Sequence, residues 1–180
     1  MRLFMARGYR AVTMELVAEA AGVTKPAVYY HFKDKGSLLV AVAGLVFSRA
    51  QSATETVLAK ATPLADRLRE IAVIVLSLPQ PFTAFDAMMH EAQGELAAEQ
   101  MLEIHKAQRS VFQVIETTLV DAAARGEIRT DDPVLVAHAF LALLRVGQTR
   151  DERGERRFPD VTGTAGRLVA ALWEGIEPRT

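Results

Sequence analysis

The tripeptide Ala21-Gly22-Val23 is a corner between two short helices, and it constrains this chain more than any other feature. Upstream of it, Thr13 is a good N-cap, and Met14, Val17, Ala18 and Ala21 recur on one helical face. Gly22 permits the positive φ that a tight corner needs. Downstream, Thr24 caps a second helix spanning about Lys25 to Phe32. Pro26 is acceptable in its first turn because that N–H has no intrahelical partner. Val28 and Phe32 supply its core face. Tyr29, Tyr30 and His31 follow one another on it, and a helix so short cannot bury all three. Asp34 then caps a long helix from about Lys35 toward Lys60. The whole reads as a helix-turn-helix joined to the start of a further helix.

The rest of the chain is helical as well. Met1 to Arg7 ends a first helix, stopped by Gly8. Pro63 opens a helix from Leu64 to Leu78, and the breaker Pro79-Gln80-Pro81 closes it. Further helices cover Phe82 to about Glu95 and then a long stretch to about Arg125, with Gly126 as its stop. Thr130-Asp131-Asp132-Pro133 starts another that runs to about Arg150. A charged loop, Asp151 to Asp160, reads as a solvated connection to a final helix from Thr162 to about Glu174. No strand-like alternation is long enough to build a sheet. The expected fold is all-α. Residues 1–47 form a three-helix helix-turn-helix DNA-binding domain, and residues 48–180 form a helical domain for ligand binding and dimerisation.

Half of the 180 residues are hydrophobic, which argues against disorder. The absence of cysteine excludes a disulfide scaffold and thiolate metal sites. The longest apolar run, Leu38 to Phe47, is too short to span a bilayer. Arg7 and Arg10 interrupt any signal-peptide layout. A cytoplasmic protein with no membrane partner is expected. Net charge is −1, yet its distribution is uneven. Residues 1–50 hold seven Lys/Arg against three acids, a net of +4, while the remainder holds 14 against 19, a net of −5. Positive charge therefore collects where the helix-turn-helix lies, as a phosphate-facing surface requires.

In such a motif the second helix enters the major groove, and its first residues meet base edges. Lys25, Pro26, Ala27 and Tyr30 are the candidate base readers. Lys25 can donate to guanine, and Ala27 can touch a thymine methyl. Tyr29, Tyr30 and His31 can bond phosphates. Thr13, Thr24 and Lys35 stand at helix N-termini, which favour anions. Most of these contacts position the protein and do not read sequence.

These residues resemble the TetR family of bacterial transcriptional regulators. The likeness is carried by Leu3-Phe4, Gly8-Tyr9, Thr13, Val17-Ala18, Ala21-Gly22-Val23, the run Thr24 to Phe32, Lys35 and Leu38-Leu39, and it covers about the first 45 residues. The resemblance implies a homodimer with two DNA-reading heads on a double-stranded, near-palindromic operator, with half-sites roughly 34–36 Å apart. It implies a repressor that releases DNA when a small effector enters the helical body. It also implies a dimer interface on the last two long helices, with Leu141, Leu144, Leu168, Leu172 and Trp173 as candidate contacts. The chain departs from the family in a first helix that begins late, in Ala27 where a hydroxyl residue is common, and in Gly36 where an acid is frequent.

For the effector, Phe82, Phe85, Met88, Met89, Met101, Phe112 and Phe140 offer adaptable apolar surface. His90, Glu91, Gln93, His105 and Gln108 can add polar contacts. Such a lining suits a hydrophobic or aromatic effector. No catalytic residue, metal set or cofactor is expected. His90-Glu91 begins like a zinc-protease motif, but Gly94 stands where the second histidine is needed. A helical dimer that binds ligands or partners with impaired DNA recognition is the competing reading.

Substituting Lys25 or Tyr30 separates the two classes of DNA contact. Loss of a base reader relaxes preference at one operator position. Loss of a phosphate anchor weakens binding to all sequences and flattens the salt dependence. Fluorescence anisotropy against specific and scrambled duplexes, across a salt series, reads the difference.

Overall fold

The computed structural model of the chain describes residues 1–79 and 81–176. Among these residues it contains nine α-helices and no strand: α1 Arg2–Arg7, α2 Met14–Ala21, α3 Lys25–His31, α4 Lys35–Leu58, α5 Leu64–Leu76, α6 Phe82–Ala92, α7 Ala98–Ala124, α8 Pro133–Gly147 and α9 Val161–Ile176. The all-α expectation holds. Of the expected breaker at 79–81, Gln80 lies outside the described residues.

The helix ends follow from local chemistry. Thr13 Oγ1 accepts from the Leu16 amide at 3.3 Å, and Thr24 Oγ1 from the Ala27 amide at 3.4 Å. Gly22 takes the left-handed conformation at the corner, with φ 66°. Asp34 Oδ1 accepts from the Ser37 amide at 2.6 Å and from its hydroxyl at 2.8 Å. Asp132 Oδ1 accepts from the Leu135 amide at 2.9 Å. Each such cap contributes roughly 1 kcal/mol. Several ends come earlier than the sequence suggests, among them that of α6 at Ala92 and that of α4 at Leu58. α5 stops at Leu76, where Ser77 Oγ donates back to the Val73 carbonyl at 2.7 Å, and α8 stops at Gly147. Ala21, although on the face of Met14 and Ala18, is exposed, because it closes α2 at the corner.

The chain forms two compact units. The first takes Met1–Arg49 together with Phe82–Ser110, so it is discontinuous in sequence. Its core joins Phe4, Tyr9, Val12, Met14, Ala18 and Val28 to Leu38, Leu39 and Ala43 of α4, and to Met88, Met89, Ala92 and Ile104 of α6 and α7. α4 is long and apolar enough to cross a membrane by length and composition. Leu38, Leu39 and Ala43 instead place one of its faces in this core.

The second unit comprises the described residues of Ala50–Pro81 and Val111–Thr180. α5, α8 and α9 pack on one another there. A Cβ at Gly147 would come within 2.6 Å of Leu76 and 2.9 Å of Leu168, so the end of α8 approaches both neighbours closely. The charged loop after α8 does more than connect. Arg156 donates to the carbonyls of Leu76 and, at 2.9 Å, Leu78, while Gln148 Nε2 donates to the Val75 carbonyl at 2.9 Å. Arg150 reaches the Pro79 carbonyl at 3.0 Å and pairs its backbone with that of Arg156 in an isolated bridge. Arg156 and Gln148 therefore reach carbonyls in the last turn of α5, where the helix dipole favours cations, and Arg150 and Arg156 reach carbonyls of the segment just after it.

Arg156→Ala should lower stability by about 1.5–3 kcal/mol, the cost of removing charge-assisted hydrogen bonds. Arg153→Ala, in the same loop, should change it by less than about 0.5 kcal/mol. Urea unfolding of the two variants tests the contrast; equal effects would make the loop a mere connection.

Candidate nucleic-acid interface and neighbouring cleft

α3 has only seven residues and buries only Val28. Pro26, Ala27, Tyr29, Tyr30 and His31 are exposed, and Tyr30 is 85% exposed. The Tyr30 and His31 rings meet edge to face at 5.0 Å. Phe32 is partly buried against the core and anchors the far end. An exposed aromatic row on a helix held at its other face is the surface that the sequence led us to expect.

Thr13 and Thr24 are exposed at the starts of α2 and α3. Their oxygens accept from helix amides, which leaves each hydroxyl hydrogen able to donate to a phosphate. Lys25 Nζ pairs with the Glu15 carboxylate of α2 and lies 5.7 Å from the Tyr29 ring centroid. The hydrogen bond from Lys25 holds the Glu15 carboxyl below its ordinary range, and the same bond raises Lys25.

Lys35 is placed differently from the other basic residues. Its side chain is only 21% exposed. The ammonium lies 4.1 Å from the Tyr9 ring centroid, donates to the Tyr9 carbonyl at 3.0 Å and sits 3.5 Å from Glu95 Oε2. Its charge is directed into the first unit. Tyr9 stacks on Phe4 at 5.8 Å and is buried, which pushes its hydroxyl up to about 12, with Glu95 and Asp34 adding to the shift.

The same seam carries further contacts from α6 and α7. Arg10 Nε lies 3.5 Å from Glu95, and the Arg10 amide donates to Glu91 Oε2 at 3.3 Å. Glu91 therefore meets the backbone after α1 and is not among the residues that line the cleft between α6 and α7. Gln100 accepts from the Ala97 amide at 3.0 Å and donates to Asp34 at 3.4 Å. A Cβ on Gly36 would fall 2.7 Å from the Gln100 amide oxygen. Gly36 thus leaves the space that Gln100 fills.

α6 and α7 also bound an open cleft of about 290 Å³ within this unit. Phe85, Met89, His90, Gln93, Met101, His105 and Gln108, all expected from the sequence, line it together with Asp86. Asp86 and His90 of α6 and Gln93 just after it fall at helical spacing, a signal the sequence carried for Asp86 but which was missed. The remaining candidates lie elsewhere. Met88 is 1% exposed in the core of the first unit, and Phe82 is partly buried outside the cleft lining. Phe112 and Phe140 belong to the second unit, where Phe140 is fully buried. Among the described residues, no group of His, Asp and Glu forms a metal-ligand set.

Of the dimer candidates, Leu141, Leu168, Leu172 and Trp173 are partly exposed on α8 and α9. Leu144 is fully buried inside its own unit. The sequence did not single out Leu135 and Val146 of α8, which are 64% and 50% exposed.

Lys35→Ala should cost about 2 kcal/mol of stability through the lost hydrogen bond and cation–π contact. The salt slope of DNA binding should stay unchanged. A slope reduced by about one with normal stability would return Lys35 to the phosphates.

Comparison with known proteins agrees with this geometry. Residues 1–42 match the family described as bacterial regulatory proteins, tetR family. The chain is 25% identical over 138 residues to an uncharacterised HTH-type transcriptional regulator, YhgD of Bacillus subtilis, spanning 76% of this chain and 71% of that protein. It is 25% identical over 142 residues to the HTH-type transcriptional repressor AcnR of Corynebacterium glutamicum, spanning 78% and 70%. The fold is shared with AibR, solved in complex with isovaleryl coenzyme A and operator DNA. That match has a TM-score of 0.69 at 22% identity and covers 94% of this chain and 91% of AibR.

Proposed function

Because the chain belongs to the tetR family of bacterial regulatory proteins, we propose that it is a cytoplasmic, homodimeric repressor whose effector binds the α6–α7 cleft and weakens its hold on DNA. Its DNA-contacting residues are Thr13, Thr24, Lys25, Pro26, Ala27, Tyr29, Tyr30 and His31. The exposed apolar residues of α8 and α9, among them Leu141, Leu168, Leu172 and Trp173, meet a second copy.

The observation that carries this reading is the shared core: α6 and α7 line the cleft and also complete the packing of the reading head. A ligand that shifts α6 displaces Glu91 and Glu95 from Arg10 and Lys35, and so moves α1 and the start of α4. Linkage then requires DNA to weaken effector binding by the same factor. Phe85, Met89 and Met101 form an apolar floor, and Asp86, His90, Gln93, His105 and Gln108 a polar rim. The volume is at the small end for ligand sites, so the effector is a compact hydrophobic or aromatic molecule with a polar group at one end. AcnR is named a repressor, which supports the reading, and AibR, solved with an acyl-coenzyme A and operator DNA, supports a fold that takes both a small molecule and DNA.

The test is anisotropy binding of the full chain to DNA from immediately upstream of its coding region, against scrambled DNA, with a panel of small hydrophobic acids and aromatics as competitors. Gln108→Trp should fill the cleft, leave DNA affinity intact and weaken any effector response by roughly tenfold or more, about 1.4 kcal/mol. A variant that loses DNA binding without effector would make the cleft structural. Wild-type protein that binds effectors but prefers no DNA sequence would favour a ligand-binding dimer instead.

A further inference from the structure

Glu15 is an acid on a surface that has to approach phosphates. It occupies the first turn of α2, and its carboxylate joins the ammonium of Lys25, the first residue of α3. Both side chains stay about half exposed, 55% and 52%. A pair this open adds little to stability. What it does provide is a donor and an acceptor fixed side by side on the face that meets DNA. The Tyr29 ring, its centroid 5.7 Å from Lys25 Nζ, also faces the ammonium.

That order of groups has a counterpart in the major groove. A G·C pair presents two adjacent acceptors, guanine N7 and O6, and next to them the cytosine N4 donor. An ammonium has several donors and is satisfied by the two guanine acceptors together, while a carboxylate accepts from cytosine N4. An A·T pair separates its acceptors with the adenine amino group and matches an ammonium less well. A carboxylate is also repelled by phosphates, so a complex on the wrong sequence leaves Glu15 facing like charge.

We propose that Glu15 and Lys25 read one G·C pair of each half-site as a unit, Lys25 donating to guanine and Glu15 accepting from the cytosine amino group. Glu15 thereby sets specificity at that position and lowers affinity for unrelated DNA. This rests on the DNA-binding reading above and adds to it a residue that the reading did not include.

The experiment uses the full chain and a pool of duplexes randomised across the binding length. Wild-type protein, Glu15→Gln, Lys25→Met and the double variant each select from the pool, and anisotropy then compares the selected duplex with one carrying A·T at the assigned pair and with a scrambled duplex. Wild-type protein should enrich G·C at one position per half-site. Glu15→Gln should lose that preference by roughly tenfold or more, the usual weight of one base contact, and keep every other position. It should also bind the scrambled duplex more tightly. The double variant should lose no more at that position than the worse single variant. Glu15→Gln that retains all preferences, or losses that add in the double variant, would overturn the pairing while leaving the regulator intact. Wild-type protein that enriches no sequence would instead overturn the regulator itself, and the pairing with it.

Discussion

A lysine ammonium that is largely withdrawn from water must be given partners, or it destabilises the fold that holds it. Lys35 meets this requirement with the Tyr9 carbonyl, the face of the Tyr9 ring and the Glu95 carboxylate. These belong to the exit of α1 and the turn after α6, while Lys35 itself begins α4. One cation thus sets the relation between three helices that are far apart in sequence. The neighbouring contacts follow the same seam: Arg10 with Glu91 and Glu95, and Gln100 with Asp34. Gly8 belongs to it too, since a Cβ there would meet the Glu91 carboxylate at 2.5 Å.

The arrangement ties the helices that bound the cleft to the helix-turn-helix without a dedicated linker. Regulatory coupling between two sites amounts to about 1–3 kcal/mol. Surface ion pairs supply up to about 1 kcal/mol each, and charge-assisted hydrogen bonds more. A few polar contacts along one seam are therefore of the right size to transmit such a signal.

Local chemistry was the legible part of this sequence. Thr13, Gly22, Thr24, Asp34 and Asp132 each act through atoms within a few residues, and the helix ends they predict are close to those observed. The exposure of Tyr29, Tyr30 and His31 also follows locally, since a short helix has one buried face. Long-range partners were not legible. Lys35 looks like any basic residue at a helix N-terminus until Tyr9 and Glu95 are brought to it. Arg150 and Arg156 look solvated until α5 ends beside them. Met88 and Phe140 have the composition of pocket residues, and only tertiary packing assigns them to cores. The lining of the cleft was partly readable, because apolar and polar residues of α6 and α7 alternate with helical period. Asp86 escaped because an acid next to Phe85 suggests solvent before it suggests a cavity rim.

The discontinuous core of the first unit has a consequence for synthesis. Leu38, Leu39 and Ala43 share that core with Met88, Met89, Ala92 and Ile104. Contacts so distant along the chain are slow to form, because a long loop must close before they reward the closure. As the chain leaves the ribosome, the helix-turn-helix emerges first, with one side of its core still open to water. It acquires its final packing only after α6 and the start of α7 have emerged. The packing of the helix-turn-helix is thus completed by α6 and α7, and a segment cut out without them would leave one side of its core uncovered.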